Sequence, residues 1–332
     1  MNGLSIEITS YGKAELLSFK EQIIDESLAA DEVVVDVHYS GINFADIVMR
    51  LGMYQDAPPK PFVPGYEVSG VVSRVGVGVT RFKVGDKVMA GTRFGGYSSV
   101  VKLPEWQVLP LPENFSLAEG AATPVNYITA HIALHEFARI RKGDRVLIDC
   151  ATGGVGVFCL QMCQAAGAEV IGLTSSENKK EFIESYGAKA MTHEEFWKSD
   201  EKDFYFILNS TGGKTLKLLY NRLTKSGQLL CIGLQQAITQ GKSSPFSIVK
   251  ALLQTPWYPI LKLMMGSKSV GGFNALKFFD DEVWMKKILV KLEQSEIRPH
   301  VDKAFSSRDI VQAHKYLESK KAKGKVLISW RE

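Results

Sequence analysis

Apolar positions along this chain follow two rhythms. Before about residue 115 they come in short runs. Asp31–Tyr39 is apolar in its middle and alternating at its ends, and Glu67–Val75 and Lys87–Ala90 are further strand candidates. Gly76, Gly78 and the Gly85-Asp86 pair punctuate them as turns. Strands spaced so closely predict a small barrel. From Ser116 the rhythm turns helical, and Ser116 with Glu119 three residues on forms a capping box. Strands and helices then alternate: strand Arg145–Cys150, helix Val157–Ala166, strand Ala168–Leu173, strand Phe204–Leu208, helix Lys214–Leu223, strand Gln228–Ile232. Such alternation predicts a parallel, doubly wound sheet. Asp281–Gln294 reads as a further helix, and Gly324–Trp330 as a lone strand returning to the first domain's sheet.

Between the strand at Arg145 and the helix at Val157 lies the cluster Ala151-Thr152-Gly153-Gly154-Val155-Gly156. Strand, glycine turn, helix and strand are the context of a dinucleotide fingerprint. A diphosphate needs close approach by backbone N–H groups at a helix N-terminus. Side chains at Gly154 and Gly156 would block that approach, and Gly153 supplies the angles of a tight turn. Cys159 stands where a third glycine is usual. A strand–helix turn without a ligand is the plainer reading of the glycines alone; the flanking strands favour a nucleotide. The second strand ends in Thr174-Ser175-Ser176, followed by Glu177, Asn178, Lys179 and Lys180. An acidic residue there would hold the ribose hydroxyls of NAD. Hydroxyls followed by lysines suit a 2′-phosphate instead, so NADPH is the cofactor expected. Lys179 and Lys180 also read, more plainly, as solvated residues at a helix start.

Composition narrows the classes. With 332 residues, 45% of them hydrophobic, the chain can bury two cores. A formal net charge of +4 is small for that size, and no basic run carries interleaved aromatics, so no nucleic-acid partner is expected. There is neither a signal-peptide pattern nor an uncharged apolar run of about 18 residues, which predicts a cytoplasmic protein. Cys150, Cys159, Cys163 and Cys231 read as small buried hydrophobes in a reducing compartment. His38, His131 and His135 have no carboxylate or cysteine at metal spacing and read as structural. Residues 245–265 are strongly apolar but interrupted by Pro256 and Pro259, so they cannot span a membrane as one straight helix. The stretch would cap a substrate cleft and pack a homodimer, or else lie on a membrane or an apolar partner.

Several stretches together resemble the medium-chain dehydrogenases/reductases: Ser40–Asp46, Pro64–Glu67, Gly85–Val88, Asn126–Ala130, the glycine cluster and Gly324–Val326. The resemblance runs over essentially the whole chain. It is nearest to the quinone oxidoreductase branch that lacks zinc and to its VAT-1-like subgroup, through Val125–Ala130 and the region from Trp257 to Gly271-Gly272-Phe273. It implies an α/β protein with a GroES-like β-barrel catalytic domain (1–123 and 271–332) and an inserted Rossmann domain (124–270). Zinc-bearing members use Cys, His and Cys as catalytic ligands; the matching positions here are Asn43, Tyr66 and Val125. None supplies a thiolate or imidazole.

The same resemblance implies hydride transfer from NADPH to an activated acceptor, a quinone or an α,β-unsaturated carbonyl. It places Asn43, Asp46 and Tyr54 around the nicotinamide. Asn43 donates to a carbonyl or merely makes a local turn, Tyr54 covers the ring or donates a proton, and Asp46 chiefly fixes local structure. Tyr66 fills the vacated metal space and Tyr127 narrows the cleft. Asn126, Thr129, Gly233, Gly272, Phe273 and Lys325 approach the cofactor, beside Gly153, Gly154, Val155, Gly156, Thr174, Ser175, Ser176 and Lys179. Asn209 replaces a usual Asp and reads as structural. The rival reading is a membrane- or partner-associated protein that binds NADPH with little turnover.

Overall fold

A valine-rich pleat organises the first part of the chain. The computed structural model describes residues 2–23, 25, 27–233, 235, 253–279 and 281–331. β1 (Asn2–Ile8) and β2 (Leu17–Ile23) form an antiparallel hairpin. In β3 (Glu32–Ile42), Val33, Val35 and Val37 face one core. Val68 and Val72 of β4 (Glu67–Val75) and Val88 and Ala90 of β5 (Lys87–Gly91) complete it, as period-two burial requires. The short helix α1 (Phe44–Arg50) joins β3 to β4, and β6 (Val100–Pro104) and β7 (Val108–Pro110) follow. α2 (Leu117–Ala121) begins at the capping box read from the sequence, with Ser116 Oγ accepting from Glu119 N–H. α3 (Pro124–His131) continues as a π-helical segment, Ile132–Ala138, that stops at Arg139 with φ 54°.

Next come the alternating units: β8 (Arg145–Ile148), α4 (Gly154–Ala166), β9 (Glu169–Thr174), α5 (Lys180–Glu184), β10 (Lys189–Thr192), α6 (His193–Lys198), β11 (Phe204–Asn209), α7 (Thr215–Asn221), β12 (Leu223–Cys231), α8 (Ile260–Gly266) and β13 (Ser269–Gly272). The chain ends with α9 (Glu282–Glu293), β14 (Val301–Ser306), α10 (Ile310–Glu318) and β15 (Lys325–Ser329).

Two compact units result, Met1–Asn126 with Leu276–Glu332, and Tyr127–Ala275. In the second, six parallel strands take the order β10-β9-β8-β11-β12-β13. That is the doubly wound order, whose topological switch point lies between β8 and β11. Leu147, Ile171, Ile207 and Leu229 pack one face of the sheet, and the alternating Val146, Ile148, Phe206, Leu208 and Leu230 are buried on the other.

In the first unit the order is β14-β15-β3-β4-β5-β7, with β6 also paired to β3. The last strand does return: β15 runs antiparallel to β3. Among the described residues the ladders branch at β3 instead of closing into a ring. An eleven-residue strand has room for β15 near its end and β6 near its start, so the expected barrel-like domain is built around β3. Residues 245–252 of the apolar stretch lie outside the described residues. No helix among the described residues is long and apolar enough to cross a membrane.

Candidate functional site

At the N-terminus of α1 the sequence Asn43-Phe-Ala-Asp46 makes a second capping box, and Asp46 Oδ2 accepts from Asn43 N–H at 2.7 Å. Asp46 Oδ1 accepts from Gly65 N–H at 3.2 Å. Burial pushes the Asp46 carboxyl up to about 7, against the pull of these bonds and of the Lys325 charge. The Asn43 amide also bonds two residues outside the helix. Its Nδ2 donates to Glu67 Oε1 at 3.1 Å and its Oδ1 accepts from Lys325 Nζ at 2.6 Å. Lys325 also meets Glu67 Oε1 at 2.5 Å, and Glu67 Oε2 accepts from Val125 N–H at 2.9 Å. Glu67 has no exposed surface. A Cβ on Gly41 would stand 2.6 Å from Glu67 Oε1, so glycine is what lets the carboxylate enter.

Glu67 is the site residue that sequence reasoning passed over. Its only signal was its place after Pro64-Gly65-Tyr66. Lys325, expected near the cofactor, is committed within its own unit to Glu67 and Asn43. Beside this cluster lie aromatic rings: Tyr66 is 6.3 Å from Tyr54 and 5.4 Å from Phe94 between centroids. Burial, with the neighbouring Tyr54, pushes the Tyr66 hydroxyl far above the usual range, so it stays protonated. Asn126 uses its side-chain amide on Ala122 O at 2.8 Å.

In the second unit, α4 starts at the glycine cluster with Gly153 as its cap. The first-turn N–H groups of Gly154, Val155 and Gly156 have no intrahelical carbonyl to bond, an arrangement that could hold an anion. The glycines act differently from expectation. Gly153 has φ −80° and ψ 171°, which any residue adopts; the left-handed angle of this turn falls on Cys150, φ 56°. Gly156 is needed for packing, since a Cβ there would sit 2.4 Å from Ala151 O. Gly233 likewise lies against Ser210, where a Cβ would be 2.7 Å from the carbonyl, and a Cβ on Gly272 would be 3.0 Å from Cys231 O. Phe273 stacks on Phe137 at 5.5 Å. Thr129 is buried on α3. Tyr127 is buried too, with its ring 5.9 Å from both His131 and Phe158, so it packs inside this unit.

At the tip of β9, Thr174 is buried, Ser175 is exposed, and Ser176 Oγ bonds Asn178 Oδ1 at 2.8 Å. Lys179 is 5% exposed. Lys180 is not free for a phosphate as its sequence position suggested: it meets Glu195 at 2.8 Å and Glu177 at 3.2 Å.

Known proteins share both units. A model of the alcohol dehydrogenase GroES-like domain matches residues 29–113, and a model described as zinc-binding dehydrogenase matches residues 179–328. The human synaptic vesicle membrane protein VAT-1 homolog is 33% identical over 307 residues, 87% of this chain and 76% of that protein. A rat quinone oxidoreductase is 33% identical over 220 residues, 66% of each chain. The crystal structure of CurK enoyl reductase matches with a TM-score of 0.82 at 26% identity, covering 98% of this chain and 99% of that one. This chain belongs to the medium-chain dehydrogenase/reductase superfamily, as an oxidoreductase, and within it to the VAT-1-like group.

The zinc of that second family description does not suit the residues present. The Asn43 amide is held by Glu67 and Lys325, Tyr66 keeps its proton, and Val125 offers only an N–H already bonded to Glu67. Among the described residues no group of three or more His, Cys, Asp or Glu is placed to hold a metal ion.

Proposed function

We propose that this chain is an NADPH-dependent, zinc-independent reductase that transfers hydride to a quinone or to a C=C conjugated with a carbonyl. The observation that carries the reading is the Asn43–Glu67–Lys325 cluster: Asn43, which takes the place of a ligand cysteine in zinc-bearing relatives, has its amide bonded to Glu67 and Lys325. When bound, the dihydronicotinamide supplies the hydride. Without a Lewis acid the acceptor must already be electrophilic, so quinones and enones are favoured over simple ketones.

The N-terminus of α4 holds the diphosphate through Gly153–Gly156. Thr174, Ser175, Ser176 and Lys179 receive the 2′-phosphate. In the same unit, Gly233, Gly272, Phe273 and Thr129 receive the nicotinamide half. One Asn43 Nδ2–H bonds Glu67, and the other is left to donate to the substrate carbonyl as negative charge develops there. The bonds from Glu67 and Lys325 fix which way the amide points. The Tyr54 and Tyr66 rings lie 6.3 Å apart in the same unit as that amide, and a hydroxyl of this pair donates the proton that completes the reduction.

Purified protein is expected to oxidise NADPH with a small quinone or enone. Silence across a broad panel of both would end the enzyme reading. One observation supports a second reading: Trp257 is 88% exposed, and Ile260, Leu261, Met264 and Met265 of α8 are exposed beside it. Such a face suits a second copy of the chain or a membrane surface. Co-sedimentation with liposomes, lost when Trp257 and Leu261 become polar, would favour the membrane, whereas dissociation of a dimer by the same changes would favour the homodimer. Tyr258 packs on Tyr220 at 5.2 Å and is not part of that face.

A further inference from the structure

One carboxylate ties together the strand tips at the switch point of the parallel sheet. Asp149 follows β8 directly and is buried. Its Oδ2 accepts from Asn209 Nδ2 at 2.9 Å, from the backbone N–H groups of Ser210 and Thr211 at 3.2 and 3.0 Å, and from Thr211 Oγ1 at 2.6 Å. These bonds cross from β8 to the tip of β11. Its Oδ1 accepts from His193 Nε2 at 2.8 Å. The same imidazole reaches β9, for its Nδ1 meets the Thr174 carbonyl at 2.9 Å. Both ring nitrogens face acceptors, and both donate only in the imidazolium form. Asn209 fits this arrangement, because an Asp there would set a second carboxylate against Asp149. On the same rim the buried Ser210 Oγ has no partner among the described residues.

We propose that Asp149 and His193 are positioning residues of the nucleotide site, locking the Thr174–Ser176 turn to the switch point so that nucleotide affinity falls as His193 loses its proton. This rests on the nucleotide reading above. Among neighbouring titratable groups, the Cys150 thiol donates to Asp149 Oδ1 at 3.7 Å, and burial, with the Asp149 charge, raises the Cys231 thiol. On α6, Glu194 pairs with Lys198 and Glu195 with Lys180. From the segment before α5, Glu177 joins Lys180, and Lys179 is buried. β9, β10 and β11 present the neutral Thr174, Thr192 and Asn209, and β8 presents Asp149. Burial raises the Asp149 carboxyl, but the bonds from His193 and Thr211 outweigh it and hold it below the usual range. The N-terminus of α6 disfavours a cation, and the Asp149 charge offsets it.

The test is calorimetric binding of NADH and NADPH from about pH 6 to about pH 9, with thermal unfolding in parallel, for the unaltered chain, His193→Gln and Asp149→Asn. NADH is the cleaner probe, since the 2′-phosphate of NADPH itself ionises near about pH 6. The unaltered chain should bind NADH progressively more weakly as pH rises. His193→Gln, which keeps a donor but no charge, should bind about fivefold more weakly at the acid end and show no such trend. Asp149→Asn should weaken both nucleotides. If it does not fold, His193→Gln, on a partly exposed side chain, still decides the matter. A variant with the same affinities and pH profile as the unaltered chain overturns the inference alone. An unaltered chain that binds neither nucleotide overturns the nucleotide reading and the inference together.

Discussion

Lys325 keeps 4% of its surface exposed while its ammonium meets both Glu67 and Asn43. A buried pair of this kind is costly to break from one side, because the remaining charge is left without its partner. Lys325→Met should therefore cost about 3–5 kcal/mol, and adding Glu67→Gln should recover much of it. Urea unfolding of both single variants and the double variant measures the coupling; strictly additive losses would show that the two groups do not act as a pair. Asp46 gives a pH dependence at the same scale. Its carboxyl is raised from 3.8 to about 7, so the folded state retains a proton that the unfolded chain releases. Its contribution to stability is full below about pH 4 and is lost as pH rises toward about 7. Asp46→Asn should flatten unfolding free energy over that window, and a slope equal to that of the unaltered chain would contradict the assignment.

Among elements, α4 shows how a motif is legible while its physics is not. Its position after an apolar strand and before another was readable from period and glycine alone. The separate jobs of the glycines were not, because each depends on what lies across from the Cα. Gly156→Ala should be destabilising by about 1–3 kcal/mol and weaken nucleotide binding, because Ala151 O is backbone and cannot yield. Gly153→Ala, with ordinary angles and only Cys150 O at 3.5 Å, should change stability by less than about 1 kcal/mol. Equal losses in chemical unfolding would refute this division. The capping box at Ser116 was legible because its partners are three residues apart. The hairpin β1–β2, the short strands β6, β7 and β10, and the helix α6 with His193 at its start went unread. Their apolar runs are short, and pairing with distant strands stabilises them more than local preference does.

For the molecule as a whole, cofactor choice joins loop chemistry to sheet topology. Lys179→Ala should weaken NADPH much more than NADH, whereas Lys180→Ala should leave their ratio unchanged because Glu177 and Glu195 already hold that charge. Binding constants for the two nucleotides check both; a ratio moved equally by the two changes would place the 2′-phosphate elsewhere. By itself the sequence determined the alternation of strands and helices, the nucleotide fingerprint, the residue types at the metal positions and the return of the last strand. Each follows from residues close in the chain, or from a side chain's own chemistry. Only the tertiary structure decided that Asn43, Glu67 and Lys325 form one cluster, that Asp149, His193 and Asn209 form another, and that Lys180 is occupied. The β3–β15 ladder and the switch between β8 and β11 bring together groups separated by tens to hundreds of residues, and burial then obliges their charges and amides to satisfy one another.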